Sequence, residues 1–205
     1  MRRMSIYLIR HTTPLIEKGI CYGQSDIDVT DSFAQEAALI RKVLPAVDML
    51  QVFSSPLKRC HKLAGHLFPD HDIIPEPALM EIHCGEWEGL HWDAIPQEVI
   101  DPWMDDFVNV CMPGGESYVQ MHARVTECFS RIAARPRPVA VVTHGGVMRS
   151  ILAHITGTPL ADSFGAFGIS YGCVVRVDEN LSYEVLHNIE TEKEQHKPRG
   201  FKARG

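Results

Sequence analysis

Two histidines in this chain sit beside residues that suit them to phosphate chemistry. Arg10-His11 closes a short apolar run, and His144 is followed by Gly145-Gly146. Phosphoryl transfer without a metal needs a nucleophile, cations matched to the phosphate oxygens, and a proton donor for the leaving alkoxide. Arg10 supplies one guanidinium fork, and Arg59, in Ser55-Pro56-Leu57-Lys58-Arg59, supplies a second. A planar fork grips phosphate at two points, which a lysine point charge does not. An unperturbed imidazole titrates near pH ~6.5, and neighbouring guanidiniums disfavour its charged form, so His11 is expected to be neutral and nucleophilic at neutral pH. A backbone carbonyl accepting from Nδ1–H would leave Nε2 to attack. The glycines after His144 let backbone N–H groups at a helix N-terminus come close to an anion, which makes Gly145 a candidate phosphate contact. Tyr22-Gly23 is a second place where backbone N–H groups could meet phosphate, through Gly23.

Elements that could position these groups are legible in the apolar pattern. Ser5 to Ile9 and Pro138 to Thr143 read as buried strands that deliver polar residues at their carboxyl ends, where open α/β sheets bind ligands. A helix is predicted over Val147 to Ile155 and another over Asp31 to Leu44, with strands at Leu50 to Phe53 and Asp72 to Ile74. Pro56 is expected to open a helix, since its missing N–H costs nothing in a first turn. A hairpin, roughly Cys173 to Val177 and Tyr183 to Ile189, is expected to extend the sheet edge. The alternation predicts an α/β fold of three layers, a mainly parallel sheet with helices on both faces and a helical or loop-rich lid. That lid is placed at residues 75–115, where prolines and three tryptophans interrupt the pattern, and Trp103 is its preferred substrate platform. Residues 1–190 are read as one domain and 191–205 as a polar, disordered tail.

Composition narrows the partners. The chain has 205 residues, 45% of them hydrophobic, enough for a single core but not for a second full domain. Its formal charge of -6 gives no broad basic field, so a small phosphomonoester is expected and nucleic acid is not. No run approaches the roughly 18 to 20 apolar residues of a spanning helix, and no signal-peptide core follows Met1, so no membrane partner and a cytoplasmic location are expected. Six scattered cysteines without a CxxC pair read as reduced, buried thiols. The remaining histidines lack metal-site spacing, so neither a metal nor another cofactor is expected.

Six segments in order resemble the histidine phosphatase superfamily, also called phosphoglycerate-mutase-like. They are Leu8 to Thr12, Tyr22 to Asp26, Ser55 to Cys60, Glu81 with Gly85 to Gly89, Pro113 to Ser117, and Val142 to Gly146. The resemblance implies that His11 carries a transient phosphate, that Arg10 and Arg59 clamp it, and that His144 is the second pocket histidine. It also implies that Glu81 protonates the leaving oxygen and then activates water, which requires a protonated carboxyl at the outset. Within the family, the motifs look most like α-ribazole phosphatases of cobalamin assembly. A phosphoglycerate-mutase-type phosphotransferase, a broad small-molecule phosphatase and a silent phospholigand-binding protein are the alternatives. Few basic residues in the lid favour hydrolysis over a mutase that must hold a bisphosphate.

Two departures from the family pattern touch the pocket. Thr12 stands where glycine is common and is expected to turn its hydroxyl inward. Glu17 stands where many relatives have asparagine, and a carboxylate there would repel substrate, so it is expected to face solvent.

Overall fold

The computed structural model describes residues 5–46, 51–136, 138–189 and 198. Its frame is a six-stranded sheet ordered β3-β2-β4-β1-β5-β6, with β1 at Ile6–Arg10, β2 at Gln51–Ser54, β3 at Ile73–Pro75, β4 at Val139–Thr143, β5 at Val174–Val177 and β6 at Tyr183–His187. The first four are parallel, and the β5–β6 hairpin joins antiparallel on the β1 side, as its expected position required. Strands β1 and β4 are buried throughout, which is why both read as unbroken apolar runs instead of alternating ones.

Strand pleating sorts the core into two halves. Ile6, Leu8, Val139, Val141, Val175 and Val177 pack with α4 (Tyr118–Ala133) and α5 (Gly145–Thr156). Tyr7, Ile9, Val52, Ala140, Val142 and Val174 pack with α1 (Phe33–Val43) and α2 (Lys58–Leu67) on the other face. The result is the three-layer α/β arrangement that the pattern predicts. Helix α4 starts in a capping box, Ser117 with Gln120, and turns Met121, Val125, Phe129 and Ile132 inward at helical spacing. Helix α5 ends at Gly157, whose φ of +71° suits the left-handed cap that glycine adopts without strain.

Two expectations need correction. Helix α2 begins at Lys58, not at Pro56, because Leu57 is extended and serves as the cap. One of the unpaired N–H groups of that helix start, on Lys58, donates to the Asp26 carboxylate at 2.6 Å. The second correction concerns Trp103. Residues 75–115 hold three short 3-10 turns and α3 (Gln97–Asp105), and Trp87, Trp92, Trp103 and Phe107 are buried in the core on the α4 face. Trp103 is 8% exposed, stacked on Trp92 at 5.8 Å and edge-on to Trp87. It is a packing residue, because a ring enclosed by three other aromatics gains more from burial than from display. The tail expectation for 191–205 lies outside the described residues apart from Pro198, as does Leu50 at the start of the second predicted strand.

Trp103→Ala is expected to lower unfolding free energy by about 3–5 kcal/mol, measured by denaturant titration. A platform role would instead raise KM and leave that free energy nearly unchanged.

Candidate active site

The site forms where β1 and β4 end side by side. Arg10 and Thr143 are register partners in that parallel pair, so the residues that follow them, His11 and His144, emerge together. Their ring centroids lie 5.1 Å apart, edge to face. His11 N–H donates to the Thr143 carbonyl at 3.0 Å, and the His11 carbonyl accepts from Gly172 N–H at 3.1 Å, so the backbone has no freedom to swing. The side chain is oriented as well. Nδ1 lies 2.7 Å from the Thr12 carbonyl, and a carbonyl only accepts, so Nδ1 carries the hydrogen and Nε2 keeps its lone pair.

Both imidazoles are buried and both titrate well below the ordinary histidine value. For His11, burial contributes most, then Arg59 and Arg10, against an opposing hydrogen bond to Thr12. For His144, burial again leads, followed by Arg59, His11, Arg10 and Arg124. His144 Nε2 lies 2.8 Å from the Ser55 hydroxyl and 3.4 Å from the Cys60 thiol. Burial pushes that thiol up to about 12, so Cys60 stays protonated and acts as packing.

Two guanidiniums, those of Arg59 and Arg10, bear on both imidazoles. Arg59 is fully buried, donating from Nη1 to the Ser25 carbonyl at 2.7 Å and from Nη2 to the Gly23 carbonyl at 2.6 Å. Its Nε is buried without an acceptor among the described residues. Arg10 donates to the Ile169 carbonyl at 2.6 Å and lies 4.0 Å above the Tyr171 ring, which itself sits 5.5 Å from His11. A β-carbon on Gly145 would come within 3.1 Å of the Arg10 guanidinium and 3.2 Å of Arg149, so glycine there permits a close approach of both. Two buried guanidiniums side by side make a setting that an anion would compensate.

Glu81 meets the same helix start at Gly146. Its carboxylate accepts from Gly146 N–H and from Ile82 N–H, each at 3.0 Å. Arg124 fastens the backbone beneath it, donating to the Ala78, Met80 and Glu81 carbonyls, while Gln24 Nε2 donates to the Glu81 carbonyl at 3.0 Å. His11, His144, Arg10, Arg59 and Glu81 therefore meet around the end of β1 and the start of α5, although they are far apart in the chain.

Gly23 departs from expectation. Its N–H donates to the Glu88 carboxylate at 3.0–3.1 Å, so the group predicted to meet phosphate is already committed, and the residue contributes its carbonyl to Arg59 instead. A β-carbon at Gly23 would lie 1.8 Å from the Ile82 carbonyl oxygen, so the close approach itself demands glycine. Likewise, Gly146 N–H at the α5 start is taken by Glu81, and Gly145 lies against guanidiniums. Thr12 is fully buried and its hydroxyl has no partner among the described residues, while Glu17 is exposed. Ser55, Arg124, Arg149, Tyr171 and Glu88 were not singled out from sequence. Of these, Ser55 and Glu88 lie within the family motifs; nothing local distinguishes Arg124, Arg149 or Tyr171 from ordinary helix or turn residues.

Residues 6–190 match the family described as histidine phosphatase superfamily (branch 1). Glucosyl-3-phosphoglycerate phosphatase of Mycolicibacterium vanbaalenii is 30% identical over 175 residues, covering 78% of this chain and 77% of the relative. Phosphoserine phosphatase 1 of Hydrogenobacter thermophilus is 26% identical over 192 residues, covering 90% and 86%. Among solved structures, the α-ribazole phosphatase from Shigella flexneri superposes with a TM-score of 0.78 at 24% identity, over 85% of this chain and 90% of that one, a likeness of fold. The chain belongs to the histidine phosphatase superfamily and is a phosphatase. Among the described residues, no group of three or more His, Cys, Asp or Glu is placed to hold a metal ion, and no helix is long and apolar enough to cross a membrane.

The depressed histidines predict a pH dependence of stability. Above about pH 6.5 both imidazoles are neutral folded or unfolded; below it the unfolded chain binds protons that the folded chain refuses. Unfolding free energy should therefore fall as pH drops from 6.5 toward the lowered folded values. Urea titrations at several pH values should show this fall, and a shallower one in His144→Asn. An equal slope in both proteins would contradict it.

Proposed function

We propose that this phosphatase hydrolyses a small phosphomonoester through a phosphohistidine on His11, and that α-ribazole 5′-phosphate is its substrate. The observation that carries the mechanism is the His11 Nδ1 contact with the Thr12 carbonyl, which leaves Nε2 as a neutral nucleophile among buried cations. Nε2 attacks phosphorus and the ester P–O bond breaks. Arg10 and Arg59 hold the equatorial oxygens, where charge is spread in the transition state. His144, kept neutral and oriented by Ser55, donates a further hydrogen bond to the transferring group. Glu81, protonated in this step, gives its proton to the leaving oxygen. As a carboxylate it then takes a proton from the water that attacks the phosphohistidine, which restores neutral His11 and releases inorganic phosphate.

The substrate assignment rests on motif resemblance and on the character of the mouth. With Trp103 in the core, the aromatic faces near the clamp are Tyr171 over Arg10 and Tyr22, 5.4 Å from Arg59. Both are partly exposed, and their hydroxyls meet at 2.7 Å, so a flat nucleoside-like group leaving the buried clamp would find aromatic surface. Residues 75–115 contain no lysine or arginine to attract an anionic alcohol.

One observation favours a second reading. Arg149 beside Gly145 could pair with a carboxylate on the alcohol, and two relatives are named for phosphoserine and glucosyl-3-phosphoglycerate. A panel of phosphorylated metabolites decides between the two. The first reading expects the highest kcat/KM for α-ribazole 5′-phosphate and little effect of Arg149→Met; the second expects preference for the carboxylated esters, lost selectively in that variant. Isomerisation of phosphoglycerate faster than phosphate release would instead make the protein a mutase, and turnover of none of these esters would favour a silent binding protein.

Acid quench of labelled substrate should trap acid-labile phosphate on the wild-type chain and none on His11→Ala. Turnover without trapped label, or full activity in His11→Ala, sinks the mechanism. Arg59→Ala should lower kcat/KM for every ester. Glu81→Gln should slow turnover by about 10²–10⁴-fold for alkyl phosphates and far less for p-nitrophenyl phosphate, whose leaving group needs no proton. Equal losses on both would remove Glu81 from the acid role.

A further inference from the structure

The carboxylate of Glu88 lies in a nest of donors that the proposed mechanism does not use. Oε1 accepts from Gly23 N–H at 3.1 Å, Gln24 N–H at 2.8 Å and Cys84 N–H at 3.1 Å. Oε2 accepts from Gly23 N–H at 3.0 Å, Ser25 N–H at 3.1 Å and the Ser25 hydroxyl. Three consecutive backbone N–H groups, Gly23 to Ser25, thus converge on one anion. Such a nest forms when the chain curls round a negative charge, and carbonyls of the same curl then turn away from it. Here the Gly23 and Ser25 carbonyls are the two that hold Arg59, at 2.6 and 2.7 Å.

We infer that Glu88 is a positioning residue that aims Arg59 at the transferred phosphate, acting through the curl of Gly23 to Ser25. This rests on the reading of Arg59 as a phosphate ligand. Without the anion, three N–H groups directed at one point have no acceptor, the curl opens, and the two carbonyls no longer fix the guanidinium plane. The same curl reaches the proposed acid, because Gln24 Nε2 donates to the Glu81 carbonyl. It is also wedged in place, since the Gly23 α-carbon is packed so tightly against the Ile82 carbonyl that no side chain fits. Burial by itself would raise the Glu88 carboxyl, but the bonds from Ser25, Gly23, Gln24 and Cys84 outweigh it and hold the group below its ordinary value, so it is ionised at neutral pH.

The donor pattern makes glutamine a sharp test. Gln24 and Cys84 N–H face only Oε1, and Ser25 N–H faces only Oε2, so either orientation of an amide sets its NH2 against backbone donors. Orthovanadate, a phosphate mimic, is titrated calorimetrically into wild type, Glu88→Gln, Arg59→Lys and the double variant. Glu88→Gln should weaken binding about tenfold in wild type and less than about twofold in the Arg59→Lys background, since its effect passes through Arg59. An equal loss in both backgrounds, or none in either, overturns the inference. If Arg59→Lys binds as wild type does, the phosphate-ligand reading fails instead, a distinguishable result. Should Glu88→Gln not fold, Ser25→Ala removes one donor hydroxyl and leaves the carboxylate. It should weaken orthovanadate about twofold, and not at all beside Arg59→Lys; no change in the wild-type background counts against the proposal.

Discussion

Burial of the Arg59 guanidinium is the constraint on which the rest of the site depends. An isolated charge removed from water costs far more than a domain's net stability, so it must be met by hydrogen bonds and compensating charge. The carbonyls of Gly23 and Ser25 meet two of its nitrogens, and its Nε has no acceptor among the described residues. Those carbonyls can face Arg59 only because Glu88 gathers the N–H groups on the other side of the same turn. In the proposed reading, the negative charge of Glu88 thereby shapes the positive lining of the phosphate site.

The buried positive charge also decides the protonation of its neighbours. Two imidazoles beside buried guanidiniums cannot both be cations, and burial with charge repulsion keeps His11 and His144 neutral. In the proposed mechanism, neutrality is what makes His11 a nucleophile and His144 a hydrogen-bond donor. The Thr12 carbonyl then selects which nitrogen of His11 is free. Orientation thus comes from backbone and charge state from burial, and both follow from the parallel pairing that ends β1 and β4 at the same level.

Much of the frame was legible because apolar runs bounded by polar residues mark strands wherever both sheet faces are covered. The runs before Arg10 and before His144 are of this kind, and their observed bounds differ from the expected ones by a residue. The start of α2 was misplaced since proline at a first turn is only a local preference, whereas the extended Leu57 and the Asp26 cap depend on a distant loop. Trp103 was assigned to the mouth because a tryptophan amid prolines carries no sign of which neighbours will enclose it.

By itself, the sequence determined the class of fold, the family and the residue types that could move a phosphate, because these are carried by local pattern and by motifs in fixed order. It could not assign the N–H of Gly23 to Glu88 in place of phosphate, nor choose Tyr171 over Trp103 as the aromatic surface near the clamp. Nor could it find Arg124 beneath Glu81. Each of these is a contact between segments tens of residues or more apart, settled by which hydrogen bonds and rings meet once the sheet and its helices close. Tertiary structure decided them because a donor commits to the acceptor that packing brings nearest, and chain order does not record that distance.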